Sequence, residues 1–191
     1  MKKTIIDRYE TTEKNQAIID VFIHSVERLY HDFDKTAPYH RKELDQEFVE
    51  YLTECVQEIG KYPFIIQISL EKMPDKILMD RVNKSINSYY IYLKEVEIRS
   101  MKHMFRRFSI LFVVGLVLLV LAILATRRLS SHEGVIAEVF AQGLTIAAWV
   151  SLWEALVNIS LEWRPHRERI RLYNRIIDSR VVFRDRSNPV S

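Results

Sequence analysis

The chain has 191 residues, with 28 Lys and Arg against 25 Asp and Glu, a net charge of only +3. Its mean hydropathy is near neutral at −0.08. One cysteine excludes a disulfide framework, and four glycines leave no room for a Gly-rich phosphate loop.

Residues 1–16 are polar; they begin with basic residues but contain no apolar run, so no cleavable leader is expected. Residues 17–24 (AIIDVFIH) fit both a buried strand and helical spacing. A strand to about His24 is favoured, followed by a short helix capped by Ser25. Residues 43–60 predict a helix with Leu44, Phe48, Tyr51, Leu52, Cys55 and Ile59 on one face. Gly60 stands where a C-terminal cap belongs. Phe64–Leu70, bounded by Pro63 and Pro74, reads as a strand.

From Asp75 onward Met79, Val82, Ile86, Tyr89, Leu93 and Val96 recur at alternating three- and four-residue spacing. Two readings stay open: a face packed on the sheet, or the seam of a coiled coil. No Gly or Pro occurs between Pro74 and Gly115, so one helix is expected from Asp75 to Thr126, about 78 Å long.

Residues 108–126 (FSILFVVGLVLLVLAILAT) carry no charge and match the roughly 30 Å hydrocarbon core of a bilayer. This is read as a membrane span. Residues 135–161 form a second apolar stretch, interrupted by Glu138, Gln142, Glu154 and Asn158, and Ser130-x-x-Glu133 matches a capping box at its start. Pro165 is expected to end or kink this helix. Arg106 and Arg107 precede the first stretch, and Arg164 and Arg167 follow the second. The positive-inside rule then puts both termini in the cytoplasm, with these four arginines at lipid headgroups. Residues 166–178 read as a basic helix with Ile170, Tyr173 and Ile177 on one face. Residues 180–184 (RVVFR) read as a strand that returns to the same sheet.

The expected fold class is therefore an α+β cytoplasmic domain with a two-helix transmembrane hairpin, a long helix running from the domain into the first span. The expected division is 1–107 for the cytoplasmic domain and 108–163 for the hairpin, with 164–191 returning to complete the domain.

Trp153-Glu154-Ala155, then Glu162-Trp163-Arg164-Pro165, then the strand 180–184, give residues 43–184 a pattern that resembles a family of uncharacterised bacterial two-span membrane proteins. The resemblance implies that fold arrangement and a bacterial inner-membrane location; it brings no activity.

Two features single out candidate sites. Gly143, Ala147, Ser151 and Ala155 recur every fourth residue, a small-residue row along which another helix approaches closely. Its partner is either the first span or another copy of the chain. Glu154, with Asn158 one turn on, places a carboxylate where lipid makes it costly unless it is paired or lines a wet path. Pairing with Arg106 or Arg107 is the structural reading, and a conduit is the other. No metal or cofactor is expected, because His24, His31 and His40 lack ligand spacing. No nucleic-acid partner is expected either, since no basic stripe lies away from the spans.

The function expected from the sequence is non-enzymatic: a homo-oligomer contacting membrane lipid, whose soluble domain binds a cytoplasmic protein partner as a scaffold or regulatory subunit. An oligomeric pore is the alternative.

Overall fold

The computed structural model describes residues 6–31, 38, 42–129 and 135–186. The chain is mostly helical, with one small sheet of three parallel strands. The elements in order are β1 (Ala17–Ile23), a short 3-10 turn (Val26–Leu29), α1 (Gln46–Ile59), β2 (Phe64–Leu70), α2 (Lys76–Leu129), α3 (Val135–Ile177) and β3 (Arg180–Asp185). The expected Ser130–Glu133 capping box lies outside the described residues.

The chain divides into two compact units, residues 1–95 with 169–191, and residues 96–168. The first holds the sheet, in the order β1-β2-β3. Ile19 lies opposite Ile66 and Val21 opposite Ile68, while Ile66 pairs with Val181 and Ile68 with Phe183. These residues share one face, because side chains alternate along a strand. That face and the buried side of α1 enclose the core, with Ile19, Leu52, Val56, Ile66 and Ile68 fully buried. On the opposite face Asp20 accepts hydrogen bonds from Ser69 Oγ (2.6 Å) and Gln67 Nε2 (3.1 Å). Ser69 and Gln67 are buried polar groups on the central strand, and Asp20 satisfies them.

Residues 17–24 resolve as a strand, and Ser25 precedes the 3-10 turn with extended backbone but no side-chain cap bond. Helix α1 is shorter than expected at its start. Asp45 caps it, its carboxylate accepting from the Phe48 amide at 3.2 Å. Gly60 at φ 65° ends it, in a left-handed conformation that a Cβ would oppose. The buried face differs by one residue from expectation: Val56 is fully buried and Tyr51 is 47% exposed. Both positions fit a helical stripe, and the stripe that is buried is centred on Leu52, Val56 and Ile59.

Helix α2 begins at Lys76, with Asp75 Oδ1 accepting from the Leu78 amide at 2.8 Å. Of the seam residues, Val82 and Ile86 are buried in the core of this chain, and Tyr89 and Leu93 pack against it; Tyr90, which is not in the seam, is buried beside them. Met79 is half-buried and Val96 exposed. Val82 and Ile86 thus have no surface left for a second helix.

Pro165 does not end the second long helix. Helix α3 runs through it without a break, from Val135 to Ile177. A proline inside a helix withholds one amide, here from the Leu161 carbonyl, and costs roughly 3 kcal/mol. Contacts beyond the proline offset that cost: His166 is tied to Glu97, and Ile176, with Leu172, Tyr173 and Ile177, is packed on the sheet core. Ile176 is the buried residue there, where Ile170 was expected to contribute.

Candidate functional site

The second unit is built from the apolar length of α2 and the first part of α3. Both helices are long and apolar enough to cross a membrane. Only 11% of each apolar window is buried, so neither is the enclosed core helix of a soluble domain. Large side chains such as Val113, Val117, Phe140 and Trp153 stand exposed on the outer surfaces of the two helices.

Apart from Glu97 and Met104, the buried residues of this unit are small. Gly115 and Ala122 on α2, and Ala148 and Ala155 on α3, are enclosed. A Cβ added at Gly115 would lie 2.8 Å from Leu152 Cγ and 3.3 Å from the Leu152 backbone nitrogen, so glycine is what lets the helices meet. Farther along, His166 Nδ1 lies 2.7 Å from Glu97 Oε1, with both side chains largely buried. Glu97 is thus matched with His166 and Gly115 with Leu152, so these two stretches run in opposite directions. Gly115→Leu is expected to cost about 1–3 kcal/mol by overpacking this contact. Thermal unfolding of the solubilised protein measures it, and adding Leu152→Ala should recover part of the loss.

The expected small-residue row splits in two. Ala155 is buried and Ser151 half-buried, its hydroxyl donating to the Ala147 carbonyl at 2.9 Å. Gly143 and Ala147 are exposed, and a Cβ at Gly143 would meet nothing within 4 Å. Contact with α2 instead runs through Ala148, Leu152 and Ala155, one face round. Glu154 is exposed and Asn158 half-buried, and neither has a hydrogen-bond or charged partner among the described residues. The expected pairing of Glu154 with Arg106 or Arg107 is not made within the chain. Arg106, Arg107, Arg164 and Arg167 are all exposed, and the Arg167 guanidinium stacks 5.2 Å above the Trp163 ring. The Glu138 side chain lies outside the described residues.

The first unit offers two open grooves and no metal-binding group of three or more His, Cys, Asp or Glu among the described residues. One groove, of about 370 Å³, is walled by Tyr9, Asp20, Tyr51, Glu54 and Glu58 with Cys55 at its base. Burial pushes the Tyr9 hydroxyl well above the usual phenol range, with Cys55 and Glu58 adding to it. Tyr9 donates to Glu58 Oε2 at 2.9 Å. The other, of about 590 Å³, is lined by Thr12, Lys14, Phe64, Asp178 and Arg180.

No family model, no curated protein and no solved structure matches this chain. The resemblance to bacterial two-span proteins thus rests on its quoted residues alone, and what the chain does has to be argued from its own geometry.

The sequence marks Gly115 and Ala122, seven residues apart, as a short groove of small residues on the first span, and both are enclosed. It does not single out Glu97 or Arg175; Glu97 gives only a weak signal, a carboxylate within an apolar stripe. Arg175 was one of several basic residues, and nothing local separates it from Arg171.

Proposed function

We propose that this chain is a non-enzymatic inner-membrane protein whose α2 and α3 form a transmembrane hairpin. Its sheet-containing unit and both termini lie in the cytoplasm. The observation that carries the reading is the exposed apolar surface of both helices, with more arginines at one end of the pair than at the other, where Arg127 and Arg128 stand. At the richer end stand Arg106 and Arg107 on α2, and Arg164 and Arg167 on α3. Surface of this kind is unstable against water and fits lipid, and the arginines fit anionic headgroups. Trp163 under Arg167 suits the interfacial belt.

Helix α2 belongs to both units, contributing Val82 and Ile86 to the sheet core and Gly115 to the helix pair. A cytoplasmic protein bound at the sheet-containing unit therefore acts on the same helix that enters the bilayer. This supports a scaffold or regulatory subunit, working as a homo-oligomer. A pore needs a continuous polar stripe, and Gln142 lies about 120° round α3 from Glu154.

The test is fractionation and labelling. In a Cys55→Ser background, the protein should stay with membranes through an alkaline wash. A membrane-impermeant maleimide on intact spheroplasts should label Ser131→Cys but not Thr4→Cys or Ser191→Cys. Recovery in the supernatant, or labelled termini, would overturn the reading.

A further inference from the structure

The exposed row on α3 and one arginine on α2 turn to the same flank of the helix pair. At about 100° per residue, Gly143, Ala147, Val150 and Glu154 fall within about 60° of one another. Their row lies about 140° from the mean direction of Ala148, Leu152 and Ala155, the residues that face α2, and Glu154 itself about 130°. On α2, Arg107 lies about 80° from Gly115, the residue that faces α3. Both offsets run toward lower residue number around the helix. Because the helices run in opposite directions, the two offsets bring Glu154 and Arg107 onto one side. Arg106 is turned to the far side of α2, about 180° from Gly115.

Glu154 and Arg107 are exposed, and neither has a partner among the described residues. A carboxylate on a lipid-facing surface needs a counter-charge. The flank that carries it also carries the two positions, Gly143 and Ala147, where a neighbouring helix can come closest.

Resting on the transmembrane reading above, we infer that this flank is where a second copy of the chain docks, with Glu154 of each copy paired to Arg107 of the other. In a two-fold pair with both copies inserted the same way, the flank meets itself, and α3 of one copy lies on α2 of the other. Each Glu154 then faces the second copy's Arg107, and the pair forms twice. The two backbones are offset along the membrane normal by about 3–9 Å, counted at about 1.5 Å per residue from Glu97–His166 and Gly115–Leu152. An extended arginine reaching inward and a glutamate together span that gap. Exposed Trp149, on the opposite side of α3, is left to lipid.

The experiment is charge reversal with mixing, on the full chain in nanodiscs, read by mass photometry. Wild type should be a dimer. Glu154→Arg alone and Arg107→Glu alone should each weaken the dimer at least about tenfold. An equimolar mixture of the two single variants should restore it, because the mixed dimer regains both pairs. Glu154→Gln, which preserves size and cannot repel, should weaken the dimer by several-fold and takes the place of either reversal that is not recovered folded. A monomeric wild type, or a dimer indifferent to these substitutions, would overturn the inference. So would a mixture that stays monomeric while the double reversal in one chain recovers, since that places the pair within a single copy. Each of these leaves the protein in the membrane fraction, whereas failure of the transmembrane reading appears as protein recovered without detergent.

Discussion

Arg175→Ala is expected to lower the stability of the sheet-containing unit by about 2–4 kcal/mol. Arg175 stands in the last turn of α3 and reaches the chain where α1 ends and β2 begins. Nη1 donates to the Val56 carbonyl (3.4 Å) and the Gly60 carbonyl, and Nη2 to the Tyr62 carbonyl (2.6 Å). The guanidinium also stacks 4.9 Å above the Phe64 ring. The Val56 and Gly60 carbonyls lie at the negative end of α1, where helix geometry leaves acceptors unpaired. Alanine would take this donor from the Gly60 and Tyr62 carbonyls, while the Val56 carbonyl keeps the Gly60 amide, and would loosen the returning C-terminal segment. The upper end of the range is discounted because the Gly60 contact is open to water. Arg175→Lys should recover less than half of the loss, since an ammonium offers a point charge and no planar fork for carbonyls or ring. Urea unfolding followed by far-ultraviolet circular dichroism measures both, and equal stability for all three proteins would refute the role.

Ile68→Ala should cost about 3–4 kcal/mol, within the usual range for a buried isoleucine. Ile68 is fully buried on the central strand, opposite Val21 on one side and Phe183 on the other. With three strands the sheet has little other core to relax into the cavity, so the loss is a large fraction of a total that is normally about 5–15 kcal/mol. Ile68→Val should cost only about 0.5–1.5 kcal/mol. Tryptophan emission serves as an internal control. All three tryptophans, Trp149, Trp153 and Trp163, lie in the helix pair. Amide protection in β1, β2 and β3 should therefore fall while tryptophan emission stays as in wild type. A matching loss in both signals would mean that the units do not unfold separately.

Much of the secondary structure was legible because its signals are local. Phe64–Leu70 is apolar and β-branched between two prolines, which is enough to fix a strand and both its ends. The uninterrupted run from Asp75 is enough to predict one very long helix, and α2 is that helix. At Pro165 the helix does not end, one of the two outcomes expected there: a missing amide was weighed without the His166–Glu97 contact or the packed Ile176. The seam on α2 was ambiguous for the same reason. Spacing of three and four marks a buried stripe and is silent on what buries it.

The candidate site divides along the same line. That Glu154 is a costly residue in an apolar helix follows from composition alone. Its place beside Gly143 and Ala147 follows from helical period, but its lack of an intrachain partner depends on how α3 is rotated against α2. Gly115 under Leu152 sets that rotation.

By itself, then, the order of residues determined which stretches form strands and helices and which surfaces reject water, because backbone propensity and hydrophobic period act over a few neighbours. Only the tertiary structure decided the parallel order of the three strands, the passage of α3 through its proline and the reach of Arg175 to Val56. Those depend on contacts between residues about a hundred positions apart, whose energies exist only once the chain has closed on itself.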